Sequence, residues 1–306
     1  MELVKLALDW TPNTNHTGFF VAQAKGFYDK LGVKVEIRSP EVDNYEKTPA
    51  KLVEEKWVEL GIAPSESVIT YQTLDSKPNL TAVAAILQKD ASAIVSLANG
   101  KIQSIKDLDG KIYASYNARF EDHIVEAMIK KGGGNGEFTK SNPDKLGIWD
   151  TLLEGKADAT WVFMPWEGIL AKRAGIILND FRLNDYSIPY GYSPILLAHP
   201  EVLESKGDAI SKFLKASAKG FLFAKDHPED AIKILAASGT QEELKDEKFL
   251  LESQESINHY YTSENGKWGL MEDQRWETFT NWLKSENLLN KETLSDHKSL
   301  YTNKFL

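Results

Sequence analysis

The sequence predicts an α/β protein with mostly parallel sheets, on three observations. Short apolar runs alternate with helix-period segments from the N-terminus to about residue 198. From Pro200 onward the pattern is helical almost throughout. The 306 residues, 42% hydrophobic and 26% charged, can bury a full core in one large domain or two smaller ones.

Leu3 to Leu8 reads as a buried strand, Asp9 to Thr17 as a polar turn, and Phe19, Phe20, Val21, Ala24 and Phe27 as one side of a helix. Val33 to Ile37 alternates with period two, as a half-buried strand does. A helix is expected from Thr48, with Pro49 in its first turn and Ala50, Leu52, Val53 and Trp57 as its apolar stripe. Val58 to Ala63 is the next apolar run, and Val68 to Leu74 is again periodic. Strands follow at Leu80–Gln88 and Ser92–Ala98, and the turn-rich connector Asn99–Gly110 reads as the approach to a second domain. Lys111–Tyr116 continues as a strand. Phe120, Ile124, Val125, Met128 and Ile129 then trace a helix face closed by Gly132. Gly132 to Gly136 (GGGNG) follows a helix and lacks the Lys-Ser/Thr of a phosphate loop, so it reads as a surface turn.

Leu146–Leu153 reads as helix, Ala157–Phe163 as strand, Pro165–Arg173 as a short helix, Gly175–Leu178 as strand, and Pro194–Ala198 as an apolar run. The helical remainder divides into Val202–His227, Pro228–Ala237, Glu247–Tyr261 and Met271–Leu289. Trp276, Phe279 and Leu283 have core spacing there. These helices need an exposed sheet face to cover, and the first domain is the candidate.

With 36 Lys and Arg against 45 Asp and Glu, the net charge is −9. Phosphate neutralisation drives nucleic-acid affinity, so no nucleic-acid partner is expected. Cysteine is absent, which removes disulfides, thiol nucleophiles and Cys-based metal sites. No run approaches the ~20 apolar residues of a membrane span, and no membrane insertion is expected. The first strand begins at residue 3 or 4 with no signal peptide ahead of it, so a cytoplasmic address is expected, or a periplasmic or secreted one if Met1 was placed on a mature domain. A glycan on the Asn15 sequon would sit in the polar turn after the first strand, where ligand residues are placed below, which disfavours a eukaryotic secretory route. No HExxH, no His/Asp/Glu cluster at metal spacing and no G-x-S-x-G elbow is present, so neither a metal nor another cofactor is expected.

Candidate ligand residues lie where strands pass into helices, the place at which α/β proteins present ligand groups. The first such turn offers Trp10, Asn13 and His16. The second, Ala63-Pro64-Ser65-Glu66-Ser67, offers Ser65, Glu66 and Ser67, either as simple helix caps or as donors to a polar ligand group at a helix N-terminus. The third, Ser115 to Glu121, offers Asn117, Arg119 and Phe120, with Arg119 able either to clamp a carboxylate or phosphate or to form a surface ion pair with Glu121 or Asp122. The Trp161–Glu167 run brings Trp166 and Glu167 to a strand end, where flat heteroaromatic ligands favour aromatic walls. Trp161 reads as core, and His123 as solvent-exposed.

The segments LDWTPNTNHTGFFVAQAKGFYDKLGVKVEI, GIAPSESVI, DLDGKIYAS and LLEGKADATWVF resemble the thiamine-pyrimidine group of substrate-binding proteins. That family joins bacterial binding proteins for thiamine precursors with the fungal pyrimidine synthases. The resemblance runs from about residue 3 to 200, and the chain looks most like a cytosolic fungal member. It implies the periplasmic-binding-protein type II fold, with two α/β lobes, a hinge and an interlobe cleft. Lobe I would be residues 1–90 plus 195–306 and lobe II residues 91–194. The crossovers would lie near Gln88–Ala93 and Tyr192–Leu196, with Tyr190 and Tyr192 beside the hinge. The synthase's imine-forming lysine corresponds to Ala63 here, its neighbouring histidine to Ser67, and its cysteine-rich motif is missing.

The expected function is therefore binding of a thiamine-precursor-like pyrimidine, free or phosphorylated, by hinge closure of a monomer. No catalytic residue is assigned, and no transporter partner can be named from the residues. The alternative is an enzyme of thiamine or pyrimidine biosynthesis using His16 or Glu66 for acid–base work.

Overall fold

The computed structural model describes residues 1–75, 77–289, 294 and 296–306. In chain order the elements are β1 (Glu2–Ala7), α1 (Thr17–Ala24), α2 (Phe27–Lys30), β2 (Val33–Arg38), α3 (Pro49–Glu54), β3 (Leu60–Ala63), α4 (Ser65–Gln72) and β4 (Thr81–Ala85). There follow β5 (Ser92–Leu97), β6 (Ile112–Ala114), α5 (Glu121–Lys131), β7 (Thr139–Ser141), α6 (Ile148–Leu153), β8 (Ala159–Phe163), α7 (Ile169–Arg173) and β9 (Leu178–Phe181). The chain ends with β10 (Ile195–Ala198), α8 (Pro200–Asp226), α9 (Pro228–Ala236), α10 (Glu247–Ile257) and α11 (Asp273–Ser285). Two compact units result: Met1–Asp90 with Gly191–Leu306, and Ala91–Tyr190. The Asn99–Gly110 connector lies inside the second unit, where Ile105 and Leu108 are buried.

The first unit holds a five-stranded sheet ordered β2-β1-β3-β10-β4. β1 runs parallel to β2 and β3, and β10 runs antiparallel to β3 and β4. The second unit repeats the plan in the order β7-β6-β8-β5-β9, with β6 parallel to β7 and β8, and β5 antiparallel to β8 and β9. The strands built by helical crossover are parallel, as the βα alternation predicts. β5 and β10 each enter from the other unit without an α-helical crossover, and the parallel rule does not bind them.

The helical tail covers the first sheet. α8 packs on α1, α2, β1 and β2, where Phe19 lies edge-on to Phe221 at 4.9 Å and Tyr28 stacks on Phe213 at 5.2 Å. Trp276, Phe279 and Leu283 on α11 are buried, as their spacing predicts. The outer edge of β4 is covered by chain from residues 269 and 301–302, with Ala85 N–H donating to Gly269 O and Thr302 N–H to Ala82 O. In the second unit Ala93, Val95, Leu152 and Val162 form the core beneath β5 and β8.

Three local expectations change. Trp57, read as part of the α3 stripe, lies beyond the helix end at Glu54 and is exposed. The strand read at Gly175–Leu178 lies three residues later, because it is pairing with β5 that defines it: Leu97 faces Leu178 and Ile94 faces Phe181. β7, Thr-Lys-Ser, carries no apolar signal and is a strand only because β6 lies beside it. Among the described residues no helix is long and apolar enough to cross a membrane.

Candidate ligand-binding site

The turn after β1 is built from its own polar side chains. Asn13 Oδ1 accepts the Asn15 N–H at 2.9 Å, and Asn13 Nδ2 donates to Thr11 O at 3.0 Å. His16 Nδ1 accepts the Asn13 N–H at 3.3 Å, so the ring proton sits on Nε2 and is donated to Asp9 Oδ1 at 2.8 Å. His16 is fully buried and Asn13 nearly so. Both ring nitrogens are therefore engaged, and beside the buried imidazole the Asp9 side chain keeps 19% exposure.

Around Asp9 stand two aromatic rings. Tyr45 donates its hydroxyl to the Asp9 carbonyl at 2.6 Å, and its ring lies 6.1 Å from Trp10. Burial and the Asp9 charge both push the Tyr45 hydroxyl well above its usual pKa, so it stays protonated as a donor. Neither Asp9 nor Tyr45 was selected from sequence. Asp9 carried a signal, standing first after the strand. Tyr45 carried none, because its place beside Trp10 depends on the left-handed Asn44–Tyr45 backbone.

At α4 the N-cap position is Pro64, so neither serine caps the helix through its side chain. Ser65 N–H donates to Tyr192 O at 2.8 Å, while Ser65 Oγ is buried with no hydrogen-bond partner. A Cβ on Gly191 would stand 2.2 Å from that oxygen, which is why glycine is required there. Glu66 is buried and Ser67 half-buried.

In the second unit the turn after β6 is fastened by Glu121, which the sequence offered as a surface ion-pair partner of Arg119 and which is buried instead. Glu121 Oε1 accepts from the Tyr113 hydroxyl at 2.8 Å and the Tyr116 N–H at 3.0 Å, and Oε2 accepts the Ala118 N–H at 3.1 Å. This holds Asn117 in a left-handed conformation, φ 60°. Asn117 Oδ1 accepts from Lys140 Nζ at 3.1 Å. The Arg119 guanidinium lies 4.8 Å from the centre of the buried Phe120 ring, so Phe120 supports the turn from within. Burial lowers the Lys145 pKa, outweighing the upward pull of the Glu121 charge.

Burial raises the Glu121 carboxyl above its ordinary range, against the lowering effect of its three hydrogen bonds. A raised folded pKa means that this group's contribution to stability is present at low pH and fades as pH rises through the folded value. Glu121→Gln removes that titration and sets an amide donor against one of the three donors, a cost of about 1–3 kcal/mol. Urea unfolding across a pH series is expected to show the variant less stable at acid pH, with the gap narrowing as pH rises. Parallel curves would refute the assignment.

Trp166 and Glu167 lie in a π-type turn, Met164–Gly168, a rare geometry that recurs at functional sites. Glu167 Oε2 accepts the Phe163 N–H at 3.0 Å, and Trp166 is largely buried. Trp161 and Tyr190 pack ring against ring at 5.4 Å. The glycine run at 132–136 is filled by its own chain, since Asp109 accepts the N–H groups of Asn135, Gly136 and Glu137. Among the described residues no group of three or more His, Asp or Glu is placed to hold a metal ion.

A solved Candida albicans protein, said to define a new family with the generic periplasmic binding protein fold, superposes with a TM-score of 0.70 at 15% identity, covering 99% of this chain and 97% of that one. Two α/β units with polar strand-to-helix turns thus define a protein of the periplasmic-binding-protein fold. Within that class the chain belongs to the NMT1/THI5-like family, whose model matches residues 13–231. It is 23% identical over 305 residues to a formylaminopyrimidine-binding protein of Halalkalibacterium halodurans, covering 97% of this chain and 89% of that protein. It is also 23% identical over 245 residues to a 4-amino-5-hydroxymethyl-2-methylpyrimidine phosphate synthase of Legionella pneumophila, covering 78% and 74%.

Proposed function

We propose that this protein binds a thiamine-precursor pyrimidine, free or phosphorylated, and that its two units close on it. The observation that carries the reading is the turn after β1, where His16 holds the Asp9 carboxylate beside Trp10 and Tyr45. A carboxylate is an acceptor for the exocyclic amino group of an aminopyrimidine, and flat rings favour aromatic neighbours. In the second unit Asn117, Arg119, Trp166, Glu167 and Tyr190 supply further groups, with Arg119 suited to an anionic substituent. Ser65, Glu66, Ser67 and Tyr192 complete the first unit's side. Binding energy drives closure only so far as the closed form binds more tightly.

The formylaminopyrimidine-binding relative supports the ligand class. The synthase relative supports the alternative, a reaction on the same fold. Against it stand Ala63 and Ser67 at the positions where the synthase pattern has lysine and histidine, and the lack of cysteine. Titration of formylaminopyrimidine and of hydroxymethylpyrimidine, with and without its phosphate, is expected to change tryptophan fluorescence saturably and to raise Tm. No response to any of them would sink the reading. Conversion of a bound pyrimidine, followed by mass spectrometry, would establish the enzyme instead.

A further inference from the structure

The chain leaves the first unit after Asp90 and re-enters it at Gly191. One side chain touches both passages. Arg275, in the first turn of α11, donates through Nη1 to the Gln88 carbonyl and through Nη2 to the Gly191 carbonyl at 2.7 Å. Its guanidinium lies 4.2 Å from the centre of the Tyr192 ring, and the Tyr192 hydroxyl accepts the Glu272 N–H at 2.9 Å. The two passages are also bonded to each other, Ile86 N–H donating to Pro194 O at 3.0 Å.

The second passage is tied in turn to the ligand turn of α4. Tyr192 O accepts the Ser65 N–H, and Gly191 presses so closely on Ser65 Oγ that no side chain fits between them. A movement of either passage is therefore felt at Ser65. The planar fork holds the two carbonyls through separate donors in fixed directions, whereas a lysine ammonium is a compact charge on a flexible stem. Charge-assisted bonds of this kind are about twice as strong as neutral ones.

We propose that Arg275 is a hinge clasp, a positioning residue that couples the two passages to each other and to the α4 ligand turn. It sets how freely the two units move and how well the ligand turn is formed before binding. The inference rests on the lobe-closure reading above, but its test does not depend on the ligand.

Because the chain has no cysteine, dyes can be placed by D208C in the first unit and K156C in the second, at positions 76% and 69% exposed. In the ligand-free protein Arg275→Met is expected to broaden the interdye distance distribution and to speed amide exchange at Ser65 and Ile86 by about tenfold. Arg275→Lys is expected to recover part of both effects. With formylaminopyrimidine as probe, affinity is expected to fall by about tenfold in the Met variant. Unchanged exchange and distances would overturn the proposal. So would faster exchange spread evenly through the first unit in step with a lower Tm, the mark of a merely structural role. If formylaminopyrimidine fails to bind even the unsubstituted protein, the ligand reading falls while exchange and distances still decide the clasp.

Discussion

Gly220→Ala is expected to destabilise the protein by about 2–4 kcal/mol, although alanine is the better helix former by roughly 1 kcal/mol. A Cβ at Gly220 on α8 would stand 1.9 Å from the Gly18 carbonyl oxygen on α1. That neighbour is backbone and cannot rotate away. Gly18 in turn faces the Phe221 ring, where its own added Cβ would lie 2.2 Å from Cγ. Phe221 is pinned by Phe19, Tyr261 and Trp268. The helices cross glycine to glycine, and separating them opens the packed aromatic cluster. Overlap thus outweighs propensity. Urea unfolding gives the answer, and a variant as stable as the parent would show that the crossing is looser than the structure has it.

Asp9→Asn is expected to weaken formylaminopyrimidine binding by about 10- to 100-fold, the worth of one hydrogen bond to a charged group, roughly 1.5–3 kcal/mol. Asparagine keeps an oxygen for His16 Nε2–H, so the turn retains its geometry and Tm is expected to hold. Asp9→Ala is expected to lose binding and stability together, because the fully buried His16 loses its partner. The contrast between the two variants separates a ligand contact from a scaffold role. Unaltered affinity in Asp9→Asn would remove Asp9 from the proposed site.

Local sequence carried the fold class because the chain declares its periodicity. Val33–Ile37 alternates and is β2; Pro49 sits in the first turn of α3; the Trp276, Phe279, Leu283 series is core. Boundaries failed where a neighbour makes the element, as at β7 and β9. The candidate site was legible as turns, not as contacts. His16 stood out as a polar group in a polar turn, yet its two nitrogens are spent on Asn13 and Asp9, and the more exposed group is the aspartate. Glu121 read as one more charge at a helix start, and nothing local says that it would be buried holding three donors.

What the sequence determined by itself is therefore whatever follows from spacing along the chain, an α/β protein and strand-to-helix turns bearing polar and aromatic side chains, together with the family that its motifs resemble. What only the tertiary structure decided is whatever joins residues far apart in the chain. The antiparallel β10, the approach of Gly220 to Gly18, and the hold of Arg275 on Gln88 and Gly191 are of this kind. Periodicity reports which face of an element is buried. It carries no information about which atoms of another element will lie against that face, and hydrogen bonds and steric overlaps depend on those atoms within fractions of an ångström.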